Sequence, residues 1–285
     1  MKPNKTHTLD ITFIQDSNIS NDRNFVRTGT YGDGNCFFHA VLRAIDIQYR
    51  KQTTHYGHLK IVEKFRKDLS EWITTEVFQK LGDGEQLRLY FLTEFNSLLE
   101  KDTKQDPVLT IVNTLLPYSV IEKEIIPQIL NKQSENFYKL FCWECEKYIH
   151  NKLDGHSDSQ KINMICTHMR NHFINLFKKA HANALTNFKL KMSTMGEYVD
   201  SFQMECISLY TGYNFLFIDE SKDNSYVGIS HVVNFDSNRK SLVFLWVDGN
   251  HFEIVGELEN KNMINRIFAS DDPFIKSLSE KYINS

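Results

Sequence analysis

A cysteine closing a glycine-rich turn and a histidine following an Asp-Gly turn are the residues of this chain best suited to chemistry. The cysteine lies in Gly32-Asp33-Gly34-Asn35-Cys36-Phe37-Phe38-His39-Ala40. Asp, Gly and Asn tolerate the sharp backbone geometry of a tight loop, and glycines let backbone N–H groups converge on one point. Ala40, Val41, Leu42, Ala44 and Ile45 continue as a helix, which places Cys36 at a helix N-terminus. There the dipole and the first-turn N–H groups favour a thiolate and can hold a developing oxyanion. The histidine lies in Val247-Asp248-Gly249-Asn250-His251-Phe252-Glu253-Ile254-Val255, at the start of a short apolar strand. Cysteine first and histidine much later is a valid order for a cysteine hydrolase, whose partners meet in space. On a strand, His251 and Glu253 share a face, so the carboxylate is a candidate to orient the imidazole.

Other residues invite weaker readings. The Asp33 carboxylate can fix the loop, or Asp33 can contribute backbone geometry to an oxyanion hole with Gly34 and Asn35. Spacing does not decide whether Asp33 acts on His251 directly. His39, one turn past the cysteine, is either a second base or a packed helix histidine. Cys142-Trp143-Glu144-Cys145 with His168 and His172 has zinc-ligand types, and a C-x-x-C alone can be a redox motif. Both cysteines sit in an apolar helical stripe without the Gly and Pro of zinc or redox turns, so core thiols are the better reading. His55, His58, His150, His156, His181 and His231 show no ligand spacing. No metal or cofactor is expected.

The elements that must position these groups follow from periodicity. Thr8 to Gln15 alternates as an edge strand, and residues 16 to 32 read as a polar loop. The helix from Cys36 is expected to reach about Tyr49. A second helix is expected over Leu59 to Leu81, closed by Gly82-Asp83-Gly84. From Glu85 to about Lys191 the pattern is almost continuous helix, broken at Asp106-Pro107, Leu116-Pro117 and Asn151 to His156. Its apolar stripes run through Leu87, Phe91, Phe95 and Leu98, through Phe137, Phe141, Cys145 and Tyr148, and through Ile162, Ile165, Met169, Phe173 and Phe177. After Gly212 the period changes. Tyr213 to Ile218 reads as a strand buried on both faces, followed by strands at Ser230 to Phe235, Leu242 to Val247 and Phe252 to Val255. Ser237-Asn238 and Asp248-Gly249 supply turns, and the tail from Leu258 reads as one or two short helices. The expected fold is α/β (α+β): a small mixed sheet flanked by the Cys36 and Leu59 helices. The expected domains are a core from residues 1–84 and 192–285 and an all-helical lobe inserted at 85–191.

Composition narrows the function classes. A formal net charge of -3 gives no support to general nucleic-acid or membrane-surface binding. Five cysteines without framework spacing indicate reduced thiols and a cytosolic compartment. No apolar segment follows the N-terminal Met1-Lys2-Pro3-Asn4-Lys5, so no signal peptide is expected, and no run is long enough for a transmembrane helix.

Asp33-Gly34-Asn35-Cys36-Phe37-Phe38 resembles the D-G-N-C-[LF]-[FY] signature of OTU (ovarian-tumour) cysteine proteases, most of which are deubiquitinases. His251-Phe252-Glu253 resembles that family's histidine motif. Met195-Gly196-Glu197-Tyr198, followed by Met204-Glu205-Cys206-Ile207-Ser208, is similar to the segment ahead of the histidine strands. The chain departs from the pattern at Glu253, where Asn or Asp is common, and at His39, where Arg is frequent. The resemblance implies a papain-like core and hydrolysis of the isopeptide bond after ubiquitin's C-terminal glycine. It makes Cys36 the nucleophile, His251 the base, Glu253 the orienter and the Asp33–Cys36 backbone the oxyanion hole. It implies ubiquitin or polyubiquitin as partner. Inserted helical lobes occur in OTU-type effectors of intracellular bacterial pathogens, which implies a ubiquitin-binding lobe and action in a host cytosol. The alternatives are a ubiquitin-recognition module with little turnover and a protease of a ubiquitin-like modifier.

Overall fold

The computed structural model describes residues 10–14, 23–103, 106–125, 127, 137–155, 159–220, 226–233, 235–260 and 263–283. Strand β1, Ile11–Phe13, lies at the sheet edge, where all three residues are exposed; Thr8, Leu9 and Gln15 of the expected strand are outside the described residues. Strand β2, Phe25–Thr28, falls in the stretch expected to be loop. It is short and carries a charge, Arg27, so it lacks a readable apolar period, yet it pairs with strands on both sides.

Helix α1 is Cys36–Ile45 and stops short of Tyr49. The Asp46 carboxylate accepts the N–H groups of Gln48 and Tyr49, which starts a separate turn at Ile47–Arg50. Helix α2, His55–Trp72, begins before Leu59 because the Thr54 hydroxyl caps it at the Gly57 N–H. Thr74 caps a further helix, α3, Thr75–Lys80, so the expected single helix to Leu81 is two. Gly82-Asp83-Gly84 lies in a 3-10 turn, Leu81–Gly84.

Helices α4 (Glu85–Thr103), α5 (Pro107–Leu115), α6 (Phe137–Leu153) and α7 (Ser159–Ser193) follow, with a short turn at Tyr118–Val120 and a π turn at Ile121–Ile125 after α5. The aromatic stripes meet in one core, where Phe91 and Phe177 stand 4.2 Å apart between ring centres and Phe95, Phe141, Phe173, Cys142, Cys145 and Cys166 join them. The described residues form two compact units. One draws on Met1–Ile73 and Leu190–Ser285, the other on Thr74–Lys189.

Helix α8, Ser201–Thr211, opens with a capping box between Asp200 and Gln203 and ends at Gly212, whose φ of 73° suits glycine. Strands β3 (Asn214–Glu220), β4 (Tyr226–Val233), β5 (Ser241–Val247), β6 (His251–Asn260) and β7 (Met263–Asn265) come next, then helix α9, Pro273–Ile283. The tail therefore differs from the expected helices: β6 runs past Leu258 and β7 folds back on it.

The sheet order is β1-β2-β6-β5-β3-β4, with β7 also pairing β6. Only the β3–β5 pair is parallel among the described strands, so the sheet is mixed and the fold is α+β. Alternate residues of the central strands serve two cores. Phe215, Phe217, Phe244 and Phe252 surround Phe37 of α1. Leu216, Ile218, Val243, Leu245 and Val255 pack with Phe274, Ile275 and Leu278 of α9. Burial on both faces explains the continuous apolar run of β3. No helix among the described residues is long and apolar enough to cross a membrane.

Candidate active site

The loop ahead of Cys36 is built by side chains folding back onto its backbone. Asp33 Oδ1 accepts the Asn35 N–H at 2.9 Å. Gly34 has φ +81°, and a Cβ there would stand 2.2 Å from the Gly196 carbonyl oxygen. Glycine is therefore required both by conformation and by close approach. Asn35 precedes α1 but its side chain does not cap the helix. Its Oδ1 instead accepts the Gly196 N–H at 3.0 Å and Arg66 Nη1 at 3.1 Å. Arg66 is almost wholly buried. Its guanidinium also donates to the carbonyls of Lys191 and Glu197 at 3.2 and 3.3 Å and lies 4.2 Å from the centre of the Phe38 ring. Burial lowers its pKa to about 10, so the cation persists at neutral pH.

Cys36 is the first residue of α1 and is 3 % exposed. Burial pushes the thiol pKa up, the backbone N–H groups of Phe252 and Phe37 pull it partly back, and the Asp33 charge adds to the rise. The expected thiolate-favouring helix end is present, but desolvation outweighs it.

His251 begins β6 and is buried. Its Nε2 lies 3.2 Å from Thr30 Oγ1, and Thr30 donates its hydroxyl proton to the Phe252 carbonyl at 2.5 Å. A hydroxyl has one proton to give. Thr30 therefore accepts at His251, which assigns the proton of the neutral ring to Nε2 and leaves Nδ1 as its basic nitrogen. Glu253 is on the same strand face, with Oε1 4.0 Å from His251 Nε2, beyond hydrogen-bond reach. Its other oxygen accepts from Arg27 Nε at 2.6 Å, and Arg27 also pairs with Glu220. The threonine hydroxyl is thus closer to the imidazole Nε2 than the Glu253 carboxylate is.

The Asp33 carboxylate is engaged elsewhere. Oδ2 accepts from His39 Nε2 at 3.1 Å and His55 Nε2 at 2.8 Å. Burial raises the carboxyl pKa, but the two imidazole bonds outweigh it and hold the group below the usual carboxylate range. His39 is fully buried, with Nδ1 2.6 Å from the Tyr49 hydroxyl. It is a packed helix histidine.

The fold brings the Cys36 and His251 motifs together at the junction of α1 and β6. It does not assemble Cys142, Cys145, His168 and His172. Both cysteines are buried in the lobe core, burial pushes Cys142 up to about 11, and His168 pairs with Asp106 at 3.0 Å. Thr30, Arg27, Arg66 and His55 carry structure around the site that the sequence reading missed. Each lies outside the two motifs and gains its partners only through long-range packing. Arg27, a charge set among apolar residues ahead of the cysteine motif, was the available signal. Compared with known proteins, the chain matches no family model and no curated protein.

Proposed function

We propose that the protein is a thiol-dependent deubiquitinase of the OTU type. The observation that carries this reading is the packing of the Cys36 helix on the His251 strand, where the rings of Phe37 and Phe252, each adjoining one of the two residues, stand 5.2 Å apart between centres. It brings two motifs that are far apart in sequence to one place. In the proposed reaction Cys36 gives its proton to His251 Nδ1 and attacks the carbonyl carbon of ubiquitin's C-terminal glycine. Backbone N–H groups of the Asp33–Cys36 loop hold the oxyanion. The imidazolium returns the proton to the departing lysine amine, leaving a thioester. Water, deprotonated by His251, then attacks the thioester and releases the ubiquitin carboxylate and the thiol. Thr30 keeps the ring in the required tautomer. Arg27 holds Glu253, whose negative charge stabilises the imidazolium at a distance. No step calls for a cofactor. Such a thiol works in a reducing compartment, the cytosol, or a host cytosol for a secreted effector.

The test is a ubiquitin bearing a C-terminal electrophile, together with a panel of di-ubiquitin linkages and a Cys36→Ala control. Labelling at Cys36 with cleavage of at least one linkage supports the reading. Labelling without cleavage turns it into a ubiquitin-recognition module, and reaction only with ubiquitin-like modifiers redirects the substrate. No labelling by any of these probes overturns it.

A further inference from the structure

Behind the nucleophile loop, two imidazoles and a carboxylate point at one another. His39 Nε2 and His55 Nε2 lie 3.1 and 2.8 Å from Asp33 Oδ2, and the three atoms all fall within 4.8 Å of one another. We propose that Asp33, His39 and His55 form a binding site for a divalent transition-metal ion of the zinc type.

Four features support a site rather than a chance cluster. The donor set, two neutral imidazoles and one carboxylate, is one that zinc takes with three protein ligands and an open fourth position. The remaining polar atoms of two ligands are held from outside: Asp33 Oδ1 by the Asn35 N–H and His39 Nδ1 by the Tyr49 hydroxyl. Partners of this kind orient metal-binding histidines and carboxylates. The three ligands stand on fixed elements, a tight turn, the interior of α1 and the capped start of α2. Finally, the cluster is closed on one side and open on the other. His39 has no exposed surface, whereas the His55 side chain is 46 % exposed, so an ion and a water can enter past His55.

The separations also suit an ion. Ligand atoms about 2.0–2.1 Å from zinc stand a little more than 3 Å apart in a tetrahedron. The two Asp33–imidazole pairs need to open by only a few tenths of an ångström and the two imidazole nitrogens, within 4.8 Å of each other, to settle at the same spacing, while the proton of each neutral ring moves from Nε2 to Nδ1. Arg43, whose guanidinium is 5.8 Å from the centre of the Tyr49 ring, opposes the added positive charge and limits affinity. A bound ion ties the turn ahead of Cys36 to the first residue of α2. The proposal does not depend on the enzymatic reading.

The experiment uses the full chain, stripped with a chelator, titrated with zinc by calorimetry and with cobalt(II) by absorption. Both titrations are repeated in Cys36→Ala to remove the neighbouring thiol. The expected result is one ion per chain in either background, with a cobalt spectrum of nitrogen and oxygen ligands and no thiolate charge-transfer band. His55→Ala removes an exposed ligand, so its metal-free melting temperature should match wild type while metal affinity falls by about 100-fold or more. Tyr49→Phe should weaken binding by about 10–100-fold through loss of the outer partner. The proposal is overturned by absence of stoichiometric binding, by affinity unchanged in a folded His55→Ala, or by a cobalt spectrum dominated by thiolate.

Discussion

Thr30 decides which nitrogen of His251 can act as base. Its hydroxyl proton goes to the Phe252 carbonyl, so replacing it by valine removes an acceptor at Nε2 and frees the ring to change tautomer. Thr30→Val should lower kcat for ubiquitin cleavage by about 10-fold or more, within the range of general-base effects, with KM nearly unchanged. Thr30→Ser should restore the rate, and nitrogen NMR of the imidazole should show the tautomer mixture in the valine variant alone. Glu253→Gln should cost less than Thr30→Val; wild-type kinetics in Glu253→Ala would remove Glu253 from the mechanism. The thiol makes a prediction of opposite character. Its pKa is raised, so at neutral pH Cys36 is mostly protonated and its alkylation by a small thiol reagent should accelerate as pH rises into the alkaline range. Asp33 is one cause of the rise. Asp33→Asn should therefore move the alkylation profile to lower pH, and an unmoved profile would show that burial alone sets it.

At the scale of elements, the site is a contact between two turns. Gly34 and Gly196, at φ 81° and 79°, face each other with no room for a side chain at Gly34. Gly34→Ala meets both a left-handed conformation and a backbone clash. It should destabilise the protein by about 1–3 kcal/mol, the usual cost of such strain, and abolish cleavage. Thermal melting and labelling by a ubiquitin electrophile measure the two effects. The motifs made this region partly legible: glycine-rich turn, helix start, Asp-Gly hairpin and histidine strand all lie where local chemistry puts them. Asp248 and Gly249, with φ 52° and 73°, show how strongly two residues can specify a hairpin. What stayed hidden lacked a local signal. β2 is four residues long and carries Arg27, whose charge is explained by its pairing with Glu220 and Glu253 across the fold. The end of α1 depended on a cap, Asp46, that an apolar helical pattern runs straight through.

For the whole molecule, the helical lobe was legible because its stripes have the helix period and its breaks fall at Asp106-Pro107, Leu116-Pro117 and Gly155. The lobe enters after Ile73 and leaves near Leu190, so it separates in sequence the two halves of the unit that carries Cys36 and His251. Its length far exceeds the four to six residues typical of about half of connections, which is the reason to propose a role in binding polyubiquitin. Charge substitutions on its exposed residues, such as Trp143→Glu or Met164→Glu, should raise KM or change linkage preference while leaving Cys36 alkylation unchanged. A folded variant with the lobe replaced by a short linker, cleaving the same chains at the same KM, would show the lobe to be structural only.

Arg66 carries one further consequence, for the time at which the protein becomes active. The arginine joins Asn35 of the nucleophile loop to the carbonyls of Lys191 and Glu197, and Thr30 joins His251 and Phe252. Except for the Arg66–Asn35 bond, each of these spans the lobe in sequence. During synthesis Cys36 leaves the ribosome before the lobe, whereas Glu197, Gly196 and His251 emerge only after the whole lobe has been made. Closing such long loops is the slow part of folding. A nascent chain therefore carries Cys36 as an ordinary thiol while the lobe is made, and the proposed catalytic competence has to wait for the strands that follow the lobe.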